Sequence, residues 1–235
     1  VIEELLPESV VAVEAHDDER AEGTQGTAPY PELYPEEEAL IARAVEKRRR
    51  EFALVRGCAR QAMEKLGVPP QAVLPGDRGA PQWPTGLIGS MTHCEGYAGA
   101  ALARATDLAS LGIDAEPHRQ LPDGVLSSVA LPDEDRRLRV LAGRYPAIHW
   151  DRLLFSAKES VYKAWFPLTG KWLDFSEADI EVFMDPGHTT SGSLRAALLV
   201  PGPVVDGRRI GSFDGRWTVS RGLVATSMTV PHGQG

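Results

Sequence analysis

Cysteine is nearly missing from this sequence: Cys58 and Cys94 are the two that occur in 235 residues. That excludes a disulfide-stapled scaffold and fits a reducing cytoplasm. Long apolar runs are missing as well, none approaching the ~18 residues that cross a bilayer, so a membrane is not expected as a partner. The start, Val1-Ile2-Glu3-Glu4, lacks the basic residues and apolar core of a secretory signal. A first residue other than Met points to a trimmed or alternatively initiated start. Positive charge is in deficit: 25 Lys and Arg against 33 Asp and Glu leave a net charge of -8, which argues against nucleic acid. There is no internal repeat and no collagen-like or low-complexity tract. What remains is an ordinary globular composition, 43% hydrophobic and 25% charged, enough for one large domain or two modest ones. An anion bound by such a chain needs a local cluster of cations.

Helical and strand patterns are both present. Val10-Val11-Ala12-Val13 reads as one strand within a Pro-, Gly- and Glu-rich stretch that runs to Pro35. Between Pro35 and Leu66, Ile41, Val45, Phe52, Val55, Ala59 and Ala62 recur at helical steps. Glu36-Glu37-Glu38 suit a helix start, and Gly67 with Pro69-Pro70 ends the pattern. Arg48-Arg49-Arg50 in the middle marks a place where it divides in two. Residues 68–89, containing "GDRGAPQWP", read as a long ordered loop of the kind retained for binding. The runs 97–104 and 108–116 predict an antiparallel hairpin. Helices are predicted over 131–144 and 150–166, the second stopped by Pro167. Strands follow at 180–183, 194–200, 216–220 and 223–230, the last two turning at Arg221-Gly222. The fold class is α+β.

Four stretches carry the chemistry. In "GSMTHC" (89–94), Ser90, Thr92 and His93 put hydroxyls and an imidazole on a short segment able to accept a phosphate, although a lone loop histidine is usually a surface residue. In "GIDAE" (112–116), Asp114 and Glu116 share one strand face, where like charges repel unless a cation or water intervenes. Alone, that pair reads as a strand end in solvent. In "FSAKESVYK" (155–163), Glu159 and Lys163 are four apart on a helix, ordinarily a surface pair. Here the flanking Phe155, Val161, Tyr162, Ala164 and Trp165 leave that helix little solvated face. In "KRRREFALVR" (47–56), a continuous helix would align Arg49 with Arg56 and Arg60.

"GSMTHC", "LGIDAE" and "FSAKESVYK", in this order and at these separations, resemble the signature motifs of the phosphopantetheinyl transferases. The similarity extends to "PEEEALIARAVEKRRREFALVRGCARQAM" and "RGAPQWPTG", so it covers most of 35–172. The type it resembles is monomeric and serves siderophore, polyketide and nonribosomal peptide synthesis.

The resemblance implies two similar α/β halves with antiparallel sheets about a pseudo-two-fold, here 1–118 and 119–235, with coenzyme A between them. It implies transfer of the phosphopantetheine arm to a serine of an acyl or peptidyl carrier protein, in the cytoplasm, releasing adenosine 3',5'-bisphosphate. Asp114, Glu116 and Glu159 are implied as ligands of Mg²⁺. Lys158 and Lys163 are implied at the pyrophosphate, and Glu159 as general base. Arg48, Arg56, Thr92 and His93 are implied at the 3'-phosphate, although the helix stripe favours Arg49 over Arg48. The loop 74–84, beginning at Leu74 and Pro75, is implied over the adenine. Relatives often carry a basic residue where this chain has Pro75, and Arg78 is the substitute nearest to hand. Carrier docking is expected over 121–152, through Arg136, Arg137, Arg139 and Arg144. Two other readings stay open: a hydrolase using Cys94 or Ser90 with His93, and a binding module for coenzyme A or a nucleotide without turnover.

Overall fold

The computed structural model describes residues 1–16 and 30–233. Residues 17–29 of the Pro-, Gly- and Glu-rich stretch before Pro35 lie outside the described residues. Strand β1 (Val10–His16) is followed by helix α1 (Pro35–Leu40), which opens on Pro35 with three glutamates in its first turn. The pattern does divide: Val45 is extended, and a second helix, α2, covers Glu46–Lys65. Helix α2 buries Phe52, Val55, Ala59 and Ala62 and ends at Gly67, whose φ of 72° suits the left-handed position past a helix.

Strands β2 (Leu87–Cys94) and β3 (Tyr97–Arg104) follow, joined by Glu95-Gly96. This corrects two expectations. "GSMTHC" is a strand rather than a loop, and β3 pairs with β1 and β2 instead of forming a hairpin with the next strand. The two-residue turn decides the matter, because Gly96 with φ 76° closes a tight hairpin between β2 and β3.

Strand β4 (Ser110–Pro117) belongs to the second sheet, paired with the last strand of the chain. By sheet pairing, the change from the first sheet to the second falls before Ser110. Helices α3 (Val125–Val129), α4 (Pro132–Arg144) and α5 (Trp150–Thr169) come next. Pro167 does not stop α5, which continues to Thr169 and ends at Gly170 in the left-handed region. The remaining strands are β5 (Ala178–Met184), β6 (Ser191–Leu198), β7 (Val204–Val205), β8 (Arg208–Arg209), β9 (Ser212–Ser220) and β10 (Leu223–Val230).

Two antiparallel sheets result, β1-β3-β2 and β4-β10-β9-β6-β5, with a small β7-β8 ribbon. Helix α2 covers the first sheet and α5 the second, each burying its apolar face; Trp150 of α5 meets Trp217 of β9 edge-on at 5.4 Å. No described helix is long and apolar enough to cross a membrane.

Strands β2 and β4 lie side by side where the sheets meet, and side chains join them. Ser90 Oγ accepts from the Ile113 amide and Thr92 Oγ1 from the Ala115 amide, each at 3.1 Å. Helix α5 crosses β4 at Gly112, where a Cβ would stand 2.1 Å from the Ser160 carbonyl oxygen. Only glycine lets the helix backbone come so near. That approach sets Glu159 and Lys163 beside the β2–β4 seam.

Candidate active site

A cleft of about 780 Å³ opens at this seam, between α2, the loop at Pro75 and the middle of α5. The size falls within the usual range for a small-molecule site. Arg48, Arg56, Arg78 and Lys163 line it against a single carboxylate, Glu159, among the described residues. A chain of net charge -8 thus sets four cations against one carboxylate here, a local balance that suits an anion.

Lys163 is held at the centre of the seam. Its ammonium donates to the carbonyl of Met91 on β2 at 3.2 Å, and on β4 to that of Ile113 at 2.9 Å and to Asp114 Oδ1 at 3.1 Å. Asp114 is 5% exposed, and its Oδ2 is buried without a direct hydrogen-bond partner among the described residues. Burial raises the Asp114 carboxyl above its usual range, against the pull of Lys163 and of the nearby Ser156 hydroxyl. Burial also pushes Glu116 up to about 7, reinforced by the Asp114 charge and opposed by Arg152. Glu159 is raised by burial and then by Asp114. Three carboxylates thus sit within electrostatic reach of one another, each less acidic than in water.

They do not close into a ready cage. Among the described residues no three His, Cys, Asp or Glu side chains form a metal-ligand set. Arg152 Nη1 lies 3.4 Å from Glu116 Oε2, and Asp114 Oδ1 is taken by Lys163. The open, buried Oδ2 of Asp114 is nevertheless the kind of hard oxygen donor that Mg²⁺ takes, and Mg²⁺ asks for only one or two carboxylates beside phosphate and water oxygens. The donor chemistry fits that ion.

On the opposite wall Arg48 Nη1 lies 3.5 Å from His93 Nε2, and that nitrogen is 3.7 Å from Glu51 Oε2. Burial lowers the His93 pKa, Glu51 opposing. Arg56 stacks 3.4 Å above the Phe52 ring and donates through Nε to the Val73 carbonyl at 3.1 Å. Burial brings its pKa down to about 10. Behind it stands Glu37, wholly buried, accepting from Arg60 at 2.9 Å and from the amides of Val73 and Tyr34 at 3.0 Å each.

The comparisons with known proteins meet this geometry. Residues 36–103 match the 4'-phosphopantetheinyl transferase N-terminal domain, and residues 110–198 match the 4'-phosphopantetheinyl transferase superfamily. The chain belongs to the 4'-phosphopantetheinyl transferase superfamily. It is similar to the 4'-phosphopantetheinyl transferase Svp of Streptomyces mobaraensis, 61% identical over 202 residues, which are 86% of this chain and 80% of that protein. Npt of Nocardia iowensis is 47% identical over 234 residues, 97% of this chain and 99% of its own. PptT of Mycobacterium tuberculosis is 48% identical over 210 residues, 86% and 91% of the two chains. Both carry the same transferase name. The chain is accordingly an enzyme of the phosphopantetheinyl transferase class, with coenzyme A as the donor of the arm and carrier proteins as acceptors.

Seen as a phosphopantetheinyl transferase, the molecule sorts the expected residues. Arg48, Arg56, Pro75, His93, Glu159 and Lys163 line the cleft, and Asp114 and Glu116 stand behind it on β4. Arg48 rather than Arg49 faces inward: α2 restarts at Glu46, and Arg49 turns back to the Ile41 carbonyl at 3.2 Å. Lys158 is corrected. It is 3% exposed, and its ammonium donates to Glu134 at 2.8 Å and to the carbonyls of Phe175 and Ala178 at 2.6 Å. One residue along a helix is a turn of about 100°, which carries Lys158 from the cleft side into the core. Thr92 is likewise buried on the β4 side, its hydroxyl joining the sheets. Leu74 takes part through its carbonyl, which accepts from the Gln82 amide at 2.9 Å and closes the loop.

The sequence named Glu37 only as part of a helix start and Tyr162 only as a flanking residue, and assigned no site role to either or to Arg152. Glu37 sits four before the buried Ile41, and Arg152 seven before Glu159, helical spacings that were the available signals. A cysteine nucleophile is disfavoured: burial and the charges of Glu116 and Asp114 push the Cys94 thiol up to about 12. The Ser90 hydroxyl is 2% exposed and committed to the Ile113 amide.

Proposed function

We propose that coenzyme A lies in the cleft with its 3'-phosphate at Arg48, Arg56 and His93, and that Asp114, Glu116 and Glu159 hold a Mg²⁺ at its pyrophosphate. That ion, when bound, offsets the negative charge that develops on the departing phosphate. Glu159, the carboxylate on the cleft wall, takes the proton from the carrier serine, whose oxygen forms a new bond to the phosphorus next to the pantetheine. The pyrophosphate bond breaks, and adenosine 3',5'-bisphosphate leaves with the electron pair. Lys163 faces the same oxygens and stabilises the charge they gain. Leu74 and Pro75 belong to the loop that covers the adenine. Thr92 acts from behind, by holding β2 against β4.

The carrier docks over 121–152, where Arg136, Arg139 and Arg144 are exposed. Arg137 contributes less there, because it is tied to Asp179 and to the Ile180 carbonyl. Similarity to the secondary-metabolism type supports a monomer working in the cytoplasm on carriers of siderophore, polyketide and nonribosomal peptide synthesis. The observation that carries the reading is the meeting of Lys163 with Asp114, an open carboxylate oxygen beside it, at the edge of a cation-lined cleft.

Mass spectrometry of an apo carrier protein incubated with coenzyme A and Mg²⁺ tests it. One phosphopantetheine should be added, and the addition should disappear with EDTA or Asp114→Ala. Undiminished transfer in EDTA would overturn the metal assignment.

A further inference from the structure

Helix α5 carries one polar stripe along a largely apolar helix. Arg152, Ser156, Glu159 and Lys163 recur at steps of four, three and four, so they share a face. The stripe runs beside β4. At one end Lys163 meets Asp114 at 3.1 Å, and at the other Arg152 meets Glu116 at 3.4 Å. Each carboxylate of β4 thus has its own cation from the same helix face, with Glu159 between the two cations. Lys163 has a part in the proposed transfer, and Arg152 has none.

Arg152 is fixed more firmly than a surface arginine. Its side chain is 13% exposed, and all three guanidinium nitrogens are engaged. Nε donates to the Arg119 carbonyl and Nη2 to the Gln120 carbonyl, each at 3.0 Å, while Nη1 donates to Glu116 Oε2. Beside it, Asp151 accepts from the Leu121 amide at 2.8 Å. The first turn of α5 therefore clasps 119–121, the segment that leaves β4 just after Glu116. Glu116 needs such a holder. It is the last residue but one of β4 and partly exposed, and Arg152 is the side chain that bonds it among the described residues. Asp114 is buried in the same strand and bonded by Lys163.

We propose that Arg152 is a positioning residue for the metal site, aiming the Glu116 carboxylate at the ion and tying that ligand to the segment 119–121. The inference rests on the assignment of a divalent ion to Asp114, Glu116 and Glu159. Arg152 bonds one oxygen of Glu116, Oε2, and leaves Oε1 to the ion. A carboxylate already fixed in one orientation loses less freedom when it takes a metal. Outer hydrogen bonds of this kind change metal affinity by roughly 10–100-fold. The charge of Arg152 also repels a nearby cation, so the direction in which affinity moves on its removal decides between holding and repulsion.

Mn²⁺ titration in the presence of coenzyme A, followed by electron paramagnetic resonance of the free ion, tests this. The proteins are the wild type, Arg152→Met and Arg152→Lys, with binding to coenzyme A alone subtracted. Arg152→Met should weaken Mn²⁺ binding by about tenfold or more. Arg152→Lys should recover part of the loss, since a charge still faces Glu116 but the planar fork across the two carbonyls is gone. The Mg²⁺ concentration for half-maximal transfer should rise by the same factor, with kcat at saturating Mg²⁺ falling less. A merely structural defect would lower kcat and leave the metal affinity in place. Unchanged or tighter Mn²⁺ binding in the variants that fold, with wild-type binding intact, would overturn the positioning role alone. Absence of Mn²⁺ binding by the wild type would overturn the metal assignment, and the positioning role with it.

Discussion

Lys163 and Asp114 form an ion pair 3.1 Å long at the line where the two sheets meet, and the same ammonium bonds the Met91 and Ile113 carbonyls. One charge therefore serves both to join the halves and to face the cleft. Lys163→Met should lower kcat on a carrier substrate by at least ~100-fold, the scale of losing a transition-state donor. Steady-state kinetics on the folded variant checks this.

Gly112 sets the distance between α5 and β4. An added Cβ would meet the Ser160 carbonyl oxygen at 2.1 Å and the Ala164 nitrogen at 2.8 Å, both backbone atoms that have to shift. Gly112→Ala should cost about 1–3 kcal/mol of stability. It should also reduce kcat more than tenfold by moving Lys163 off Asp114, an order-of-magnitude expectation for displaced catalytic groups. Denaturant melts and kinetics on one sample separate the two effects; unchanged kcat would show the helix position to be irrelevant.

Glu37 lies outside the cleft yet supports Arg56, Arg60 and the Val73 amide from a fully buried position. Its removal leaves buried cations and an amide unpaired. Glu37→Ala should destabilise the fold by about 3–5 kcal/mol and, in the folded fraction, raise KM for coenzyme A more than KM for the carrier. An equal rise in both would contradict a supporting role for Glu37 behind Arg56.

Lys158 and Glu134 make a buried pair, 2.8 Å apart and each almost inaccessible. Lys158→Ala strands the carboxylate and should cost about 3–5 kcal/mol. Activity per folded molecule should stay near wild type at a temperature well below the melt. A large loss of kcat with stability intact would restore Lys158 to the pyrophosphate.

His232 ties the C-terminal segment to the turn after β3. Its Nε2 donates to the Ala105 carbonyl at 2.6 Å and Nδ1 pairs with Asp206 at 3.0 Å, so the doubly protonated ring suits both partners. The Ala105 carbonyl, then Asp206, hold its pKa above 6.5. A raised folded pKa means a contribution fully present below about pH 6.5 and lost as pH rises through the folded value. NMR titration should find the His232 midpoint above 6.5 and Asp206→Asn should lower it. A midpoint at or below the free value would refute the clamp.

Most elements are legible in the local pattern. The strand-like run 223–230 and the turn at Arg221-Gly222 reappear as β10 and its hairpin with β9, and Arg48-Arg49-Arg50 marks the region where α2 begins. Strand β2 was harder to see, because Gly89 and the hydroxyls of Ser90 and Thr92 look like a loop until β4 is brought beside them. The partner of β4 was equally hidden, since β10 lies more than a hundred residues further on.

By itself the sequence determined the α+β class, the three ordered motifs, and hence the family. Periodicity and residue type are local, and they say which side chains share a face. They do not say what that face meets. Only the tertiary structure decided that Glu159 and Lys163 look into the cleft while Lys158 looks into the core, that Thr92 joins two sheets, and that Glu37 stands under Arg56. Each of those roles depends on a partner brought from elsewhere in the chain by sheet pairing and helix packing. The physical reason is burial: a charged or hydroxyl side chain is placed by the long-range partner that satisfies it inside the protein.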